Sequence, residues 1–190
     1  NDDYTSIISP RHFERLLALL SDARSKGAEI ISLAPADEPD FDANTRKIAP
    51  HLILNVTNEM LIMQEEIFGP LLPVKTYQQF EETIDYINAH PRPLAAYYFG
   101  QDMAQQQHFA THTTSGALVI NDVMTHASID TLPFGGIGAS GMGAYHGIHG
   151  FRRFTHAKAV VVQNMDGASN LRLRAPYEQK QAALTTLFHN

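Results

Sequence analysis

A dense cluster of glycine is the feature that most constrains this chain of 190 residues. Seven of its twelve glycines lie between residues 135 and 150. Glycine loses more conformational entropy on folding than other residues, so such a cluster indicates backbone that takes positive φ angles or approaches another group closely. Pro133 opens the segment, and apolar residues such as Phe134 and Tyr145 interrupt it. Linkers are usually rich in Ser or in charge, so we interpret the segment as a loop that lines a ligand pocket.

Residues 136–141 also fit the pattern G-x-G-x-x-G of dinucleotide-binding loops. That fingerprint requires a strand before it, a helix at its third glycine and an acid about 20 residues later. Pro133 opposes a strand, further glycines follow in place of a helix, and the segment around Val161 contains no acid. We therefore reject the segment as a Rossmann phosphate loop.

The composition is that of a globular domain, with 44% hydrophobic and 18% charged residues. A formal charge of −6 without a basic stripe argues against nucleic-acid binding. No apolar run reaches the roughly 20 residues of a membrane span and no secretory signal opens the chain, so we expect a cytoplasmic protein. Cysteine is absent, which excludes disulfides, cysteine-bound metals and any thiol nucleophile supplied by these residues.

Helix and strand patterns alternate along the chain. Ser9 and Pro10 open a helical pattern that Gly27 ends, and Thr76 with Gln79 forms a capping-box pattern before a second helix. A third helix is predicted at 101–111, an exposed loop at 34–44, and strands at 28–33, 51–56, 70–75, 94–99 and 117–121. This alternation predicts an α/β fold with a mostly parallel, doubly wound sheet. In such sheets ligands bind at the carboxyl ends of strands, where we place both Asn121 and the glycine-rich loop.

The run from Lys158 to Val162 predicts a last, strongly apolar strand. No core element remains for it to complete, so we expect it to pair with the edge of another subunit.

Two adjacent acids, Glu65 and Glu66, precede an apolar turn at 67–70. In a functional interpretation, one acid binds a pair of ligand hydroxyls and Phe68 packs on a flat ring. In the alternative, the turn ends a helix and both acids face water. The residue types leave these two interpretations open.

The ten histidines include two pairs at helical spacing. His108 and His112 lie at i and i+4, and His146 and His149 at i and i+3. Neither pair has acids nearby in an arrangement typical of metal ligands, so we predict no metal site.

Two segments resemble the NAD(P)-dependent aldehyde dehydrogenase family. Residues 64–70 read Q-E-E-I-F-G-P, which resembles the family's E-I-F-G-P segment, and residues 133–141 resemble its P-F-G-G-x-x-x-S-G segment. The pattern M-G-A-Y-H-G at 142–147 and N-D-V at 121–123 is similar to the class-three branch, which includes coniferyl, fatty and aromatic aldehyde dehydrogenases. The resemblance covers about residues 4–164.

The resemblance implies a partial catalytic domain over residues 1–157, followed at 158–190 by an oligomerisation strand and tail that help form a homodimer. It implies NAD or NADP as the cofactor, in the full-length enzyme, and an aldehyde as the substrate. By position, Glu66 resembles the glutamate that holds the hydroxyls of the nicotinamide ribose, and Phe68 the aromatic beside the nicotinamide. The substrate-binding residues that it implies are Phe134, near the substrate tunnel, a positional Asn121, and Tyr145 and His146 at the border of the site.

The family oxidises aldehydes through a cysteine thiolate, helped by a glutamate base and an asparagine amide. This chain contains no cysteine, so it resembles a C-terminal piece of a longer enzyme, without a catalytic residue and inactive when alone. An alternative of another class is a non-catalytic binding or assembly module with the same fold. An acyl-phosphate reductase of related architecture fits the Y-H-G details poorly.

Overall fold

The computed structural model of the chain describes residues 4–165, 174–178, 180, 181 and 185. The chain divides into two compact units, Asn1–Tyr86 and Ile87–Asn190, and each is described by itself.

The first unit is built on helix α1, Pro10–Ser25. The Ser9 hydroxyl accepts a hydrogen bond from the His12 N–H at 3.3 Å, and proline fills the first helical position, so both N-terminal signals act as predicted. Gly27 takes φ +91° just after the helix and ends it, also as predicted. The apolar face of the helix is buried at Phe13, Leu16, Leu19, Leu20 and Ala23.

This face packs in one core with a three-stranded sheet. The strands are β1 (Glu29–Ser32), β4 (His51–Leu54) and β5 (Leu71–Pro73), in the order β1-β4-β5. Strand β4 runs antiparallel to β1 and parallel to β5. A small antiparallel hairpin, β2 (Phe41–Asp42) with β3 (Lys47–Ile48), fills the segment between β1 and β4, part of which was predicted as a loop.

Helix α2, Phe80–Asn88, contains the predicted second helical pattern, but its N-terminus differs. The Glu82 carboxylate accepts hydrogen bonds from the N–H groups of Gln78 and Gln79, each at 3.2 Å. Because the acid three residues after Gln79 is the one that caps the backbone, the helix begins later than the pattern at Thr76 predicted.

The second unit contains one parallel strand pair, β6 (Ala95–Tyr98) and β7 (Ala117–Ile120). Helix α3, Met103–His112, connects them and is capped by the Asp102 carboxylate, which accepts from Ala104 and Gln105. A short helix α4, Gly147–Arg153, follows the glycine-rich loop.

The prediction of one mostly parallel, doubly wound sheet is only partly met. The strands of the described residues form three separate sheets with two parallel and two antiparallel pairs. Parallel neighbours need a long crossover, which α3 supplies between β6 and β7. A hairpin and no helix lies between β1 and β4, so these two strands pair antiparallel.

The predicted strand at 158–162 is not observed. Val160, Val161 and Val162 are 71%, 90% and 87% exposed and belong to no sheet in the described part of the chain. A strand exists only where its backbone groups have a partner edge, and no strand among the described residues pairs with this segment. Within the described residues, no helix has both the length and the apolar character that crossing a membrane requires.

Candidate functional site

The first candidate site element is a turn at residues 65–69, which we call the acidic turn. It follows a short 3-10 helix, Leu61–Met63, and precedes strand β5. Glu65 forms an ion pair with Arg15 of α1 at 2.9 Å. The Glu66 side chain is exposed, and its carboxylate accepts no hydrogen bond from the residues that the structure describes. The two acids therefore differ: Glu65 is held by the protein, and Glu66 is available to a ligand.

Phe68 is an unusual residue in this turn. Its backbone takes φ +49°, the left-handed region that bulky side chains rarely adopt, and its ring is 84% exposed. Such backbone costs about 1–3 kcal/mol and persists where the surrounding structure enforces it, often at ligand-binding sites. The conformation presents a flat apolar surface outward, which suits packing against the ring of a ligand.

Asn121 follows strand β7 and also takes a left-handed φ, +59°. Its side-chain oxygen accepts from the Gly100 N–H at 2.8 Å, and its side-chain NH₂ donates to the Gly100 carbonyl at 3.0 Å. These two bonds tie the segments that follow β6 and β7 to each other. The amide is thus engaged by the protein, which agrees with a positional role.

The glycine-rich loop closes on itself through its backbone. Phe134 and Tyr145 exchange two hydrogen bonds, each of 2.9 Å. A Cβ on Gly135 would lie 2.1 Å from the Gly143 carbonyl oxygen, and one on Gly136 would lie 2.2 Å from that of Ser140. Only glycine fits at either position, so the predicted close approach exists and is made by the loop to itself.

The loop also approaches the sheet, at a place that the sequence analysis did not predict. A Cβ on Gly116 would lie 2.3 Å from the Gly135 carbonyl oxygen. Gly116 precedes β7 and Asn121 follows it, so Gly135 lies at the opposite end of that strand from Asn121. The prediction that both lie at the carboxyl ends of the strands is therefore wrong for this part of the loop. The reason is that Gly116, which has no side chain, lets the loop backbone fold back over the beginning of the strand.

Phe134 is the centre of an aromatic cluster in the second unit. Its ring stacks on His126 (centroids 5.6 Å apart, planes at 22°) and on His146 (5.6 Å, 26°). Tyr145 meets Phe134 edge-on at 5.5 Å and meets His146 at 4.7 Å. Three of the four residues predicted at the substrate side thus lie together, and Asn121 is the one that this cluster does not include.

His126 is a member of the cluster that the sequence analysis missed. It is 9% exposed, and its Nδ1 atom, like that of His146, is buried and has no hydrogen-bond partner among the described residues. Nothing in its spacing from Phe134 signals the contact, because a short 3-10 helix, Thr125–Ser128, turns the chain between them. Only the N-D-V segment shortly before it marks this part of the chain in the sequence.

The two histidines of α3 lie side by side. The rings of His108 and His112 lie 4.1 Å apart, and His112 Nδ1 lies 2.9 Å from the His108 carbonyl oxygen. The described residues contain no group of three or more His, Asp or Glu side chains that could hold a metal ion.

A cavity of about 410 Å³ lies elsewhere in the first unit, between the hairpin β2-β3 and the segment after β1. Tyr4, Leu33, Lys47 and Pro50 are among the residues that line it. None of the predicted site residues does, so the cavity is separate from both site elements.

Comparison with known proteins identifies relatives over nearly the whole chain. The sequence profile of the aldehyde dehydrogenase family matches residues 1–160. A coniferyl aldehyde dehydrogenase of Pseudomonas sp. (strain HR199) is 58% identical over 177 residues, which are 93% of this chain and 37% of that protein. A probable coniferyl aldehyde dehydrogenase of Caulobacter vibrioides is 52% identical over 93% of this chain and 37% of its own length. The chain therefore spans little more than a third of these relatives.

Solved structures support the same fold. A substrate-bound AldH of Staphylococcus aureus superimposes with a TM-score of 0.77 at 36% identity, covering 96% of this chain and 38% of that one. An aldehyde dehydrogenase of Mycobacterium tuberculosis in complex with NAD+ gives 0.69 at 28% identity, over 80% of this chain and 30% of that one.

The contact of Gly135 with Gly143 predicts a sharp difference between two glycine substitutions. Gly135→Ala should destabilise the chain by about 1–3 kcal/mol, because its Cβ meets backbone that cannot move aside. Gly150→Ala is the matched control: its Cβ would meet nothing closer than 3.7 Å, and alanine favours helix α4 by about 0.5–1 kcal/mol. Urea denaturation followed by circular dichroism measures both effects, and equal stabilities of the two variants would contradict this packing.

Proposed function

This chain belongs to the aldehyde dehydrogenase family, and from that premise we propose that it supplies cofactor and substrate contacts to an enzyme that oxidises an aldehyde to its carboxylic acid with NAD or NADP. The observation that carries the proposal is the acidic turn, in which the Glu66 carboxylate accepts no hydrogen bond from the described residues and the Phe68 ring is exposed. The proposed substrates are aromatic aldehydes such as coniferyl aldehyde, supported by the names of the relatives, or medium- and long-chain aliphatic aldehydes. We place the enzyme in the cytoplasm.

The residues of the acidic turn fit a nicotinamide dinucleotide. A free carboxylate accepts two hydroxyl hydrogen bonds, as a ribose diol requires, so we assign this contact to Glu66. Phe68 then packs beside the nicotinamide end. When bound, this cofactor accepts the hydride that the aldehyde carbon loses.

The aromatic cluster fits the substrate side. Phe134, Tyr145 and His146 offer flat, apolar surfaces, and these favour a planar aryl group or an extended hydrocarbon chain. We assign Asn121 a positional role, because its amide is engaged by the backbone of Gly100. The nucleophilic thiolate must come from outside this chain, which contains no cysteine.

The first prediction concerns activity. The 190-residue chain should form no NADH or NADPH from any aldehyde, because it has no thiol to attack the carbonyl carbon. Fused in place of the matching segment of the Pseudomonas relative, it should support turnover of coniferyl aldehyde, measured by absorbance of the reduced cofactor. Turnover by the chain alone, or an inactive but folded fusion, would contradict the proposal.

The second prediction concerns Glu66 in that fusion enzyme. Glu66→Gln removes a charge-assisted hydrogen bond worth about 1.5–3 kcal/mol, so cofactor affinity or the hydride-transfer rate should fall by roughly 10- to 100-fold. Thermal stability should change little, since the carboxylate is exposed and accepts no hydrogen bond from the described residues. Glu29→Gln, an exposed acid at the start of β1, is the control and should match the wild type.

The third prediction concerns assembly, which we propose to be a homodimer joined through residues 158–162. Proteins tend to cover exposed apolar segments with free backbone groups, and Val160–Val162 are such a segment in the single chain. The chain should therefore associate with itself at micromolar concentrations in sedimentation equilibrium, and changing Val160 and Val162 to Lys should prevent this. A wild-type chain that stays monomeric, or a double variant that associates equally well, would rule out this segment as the interface.

A further inference from the structure

We propose that Arg15 is the positioning residue of the acidic turn: from helix α1 it fixes the backbone of residues 65–67, and so it sets where Glu66 and Phe68 meet the cofactor. This inference rests on the cofactor-binding role proposed for those two residues. Arg15 touches neither cofactor nor substrate in this assignment, and it acts entirely through the turn.

One guanidinium makes three contacts with three consecutive residues of the turn. Nη1 donates to the Glu65 carboxylate at 2.9 Å and to the Glu66 carbonyl at 3.2 Å. Nη2 donates to the Ile67 carbonyl. The planar fork of arginine can reach several acceptors at once with a fixed geometry, whereas the single ammonium of lysine cannot reproduce that arrangement.

Leu16, the next residue of α1, packs against Gly69, which follows Phe68 in the chain. Leu16 is fully buried, and a Cβ on Gly69 would lie 2.6 Å from both of its terminal carbons. Arg15 and Leu16 thus contact the turn at positions before and after Phe68. This is the external constraint that a left-handed phenylalanine requires.

Asp22 of α1 and Lys26, the residue just after the helix, hold the segment that leads into the turn. The Asp22 carboxylate accepts from the Leu61 N–H at 2.8 Å, and Lys26 donates to the Glu59 carbonyl at 2.7 Å. The hydrogen bond from Lys26, and after it the one from Leu61, lowers the pKa of Asp22. The helix therefore supports residues 59–69 along its length, and Arg15 is the part of this support that reaches the acidic turn.

The side chains of the turn cannot fix themselves. The Glu66 carboxylate has no partner in the described residues and the Phe68 ring is 84% exposed, so their positions follow from the backbone alone. An exposed ion pair such as Arg15–Glu65 contributes only about 0–1 kcal/mol to stability. The two bonds to carbonyl groups, which set the direction of the backbone, are therefore the contacts that matter for positioning.

The test uses four variants of the fusion enzyme. Arg15→Met removes all three contacts, Arg15→Lys keeps the charge without the fork, and Glu65→Gln removes only the ion pair. Arg11→Met is the matched control, an exposed arginine of the same helix. Two readouts are needed: hydrogen–deuterium exchange of the cofactor-free protein at residues 65–69, and NAD+ and NADP+ affinity by fluorescence titration.

We expect Arg15→Met to raise exchange in the turn and to weaken cofactor binding by about tenfold, the size of one lost charge-assisted hydrogen bond. Arg15→Lys should lie between Arg15→Met and the wild type, and Glu65→Gln should stay within about threefold of wild type, as expected for a surface ion pair. Arg11→Met should match the wild type in both readouts.

Four results would overturn the inference. Unchanged exchange and affinity in Arg15→Met would show that the fork does not position the turn. Hydrogen–deuterium exchange that rises uniformly through the first unit in Arg15→Met, with cofactor affinity unchanged, would show a purely structural role. If Arg15→Met does not fold, a wild-type cofactor affinity in Arg15→Lys would overturn the inference instead. A wild-type enzyme that binds neither NAD+ nor NADP+ would overturn the proposed function together with this role. If the wild-type enzyme binds the cofactor, an unchanged Arg15→Met variant counts against the positioning role alone.

Discussion

The first unit depends on the burial of one face of helix α1. Leu16 and Ala23 are fully buried in it, and the same core takes in Ile53 of strand β4 and Met60, which precedes the acidic turn. Burial of each large aliphatic side chain contributes about 1.5–3 kcal/mol, so this face supplies far more stability than the polar contacts at its edge. The polar side chains along this helix therefore contribute little to stability, and they hold an irregular segment in place instead. Arg15 and Asp22 of the helix, with Lys26 just after it, bind the backbone of that segment.

In the second unit, an irregular segment is held by close backbone contacts at glycine rather than by side chains. An irregular loop must satisfy its backbone groups, and the loop at 134–147 does so through the exchange between Phe134 and Tyr145 and through the bonds that the Ser140 and Gly141 N–H groups donate to the carbonyls of Ile137 and Gly138. The missing Cβ atoms of Gly135 and Gly136 let backbone lie against backbone, so the loop closes where the rings of Phe134 and Tyr145 meet. The close glycine contacts and the contact between Phe134 and Tyr145 therefore belong to the same closure of the loop.

The sequence predicted local structure well and long-range geometry less well. The cap at Ser9, the stop at Gly27 and the strands at β6 and β7 depend on neighbouring residues, and they form as predicted. The pairing of β1 with β4 depends on what lies between them, and the hairpin there carries too weak a pattern to be recognised. The family motifs identified the acidic turn and the loop, because a motif records which residues act together. His126 and Arg15 belong to no motif, so only the folded chain brings them to Phe134 and to the turn.

Left-handed backbone conformations occur at several of the residues predicted for the site. Among the described residues, six that are not glycine take a left-handed φ, and three of them were predicted as site residues: Phe68, Asn121 and His146. Asparagine and histidine adopt this region more often than other residues with a side chain, whereas a bulky phenylalanine rarely does. Contacts made elsewhere support two of the three: α1 holds the turn around Phe68, and His146 stacks on Phe134. Strain of this kind persists only where the surrounding structure enforces it: the buried helix α1 lies beside the turn that carries the exposed ring of Phe68, and His146 follows Tyr145, where the glycine loop closes.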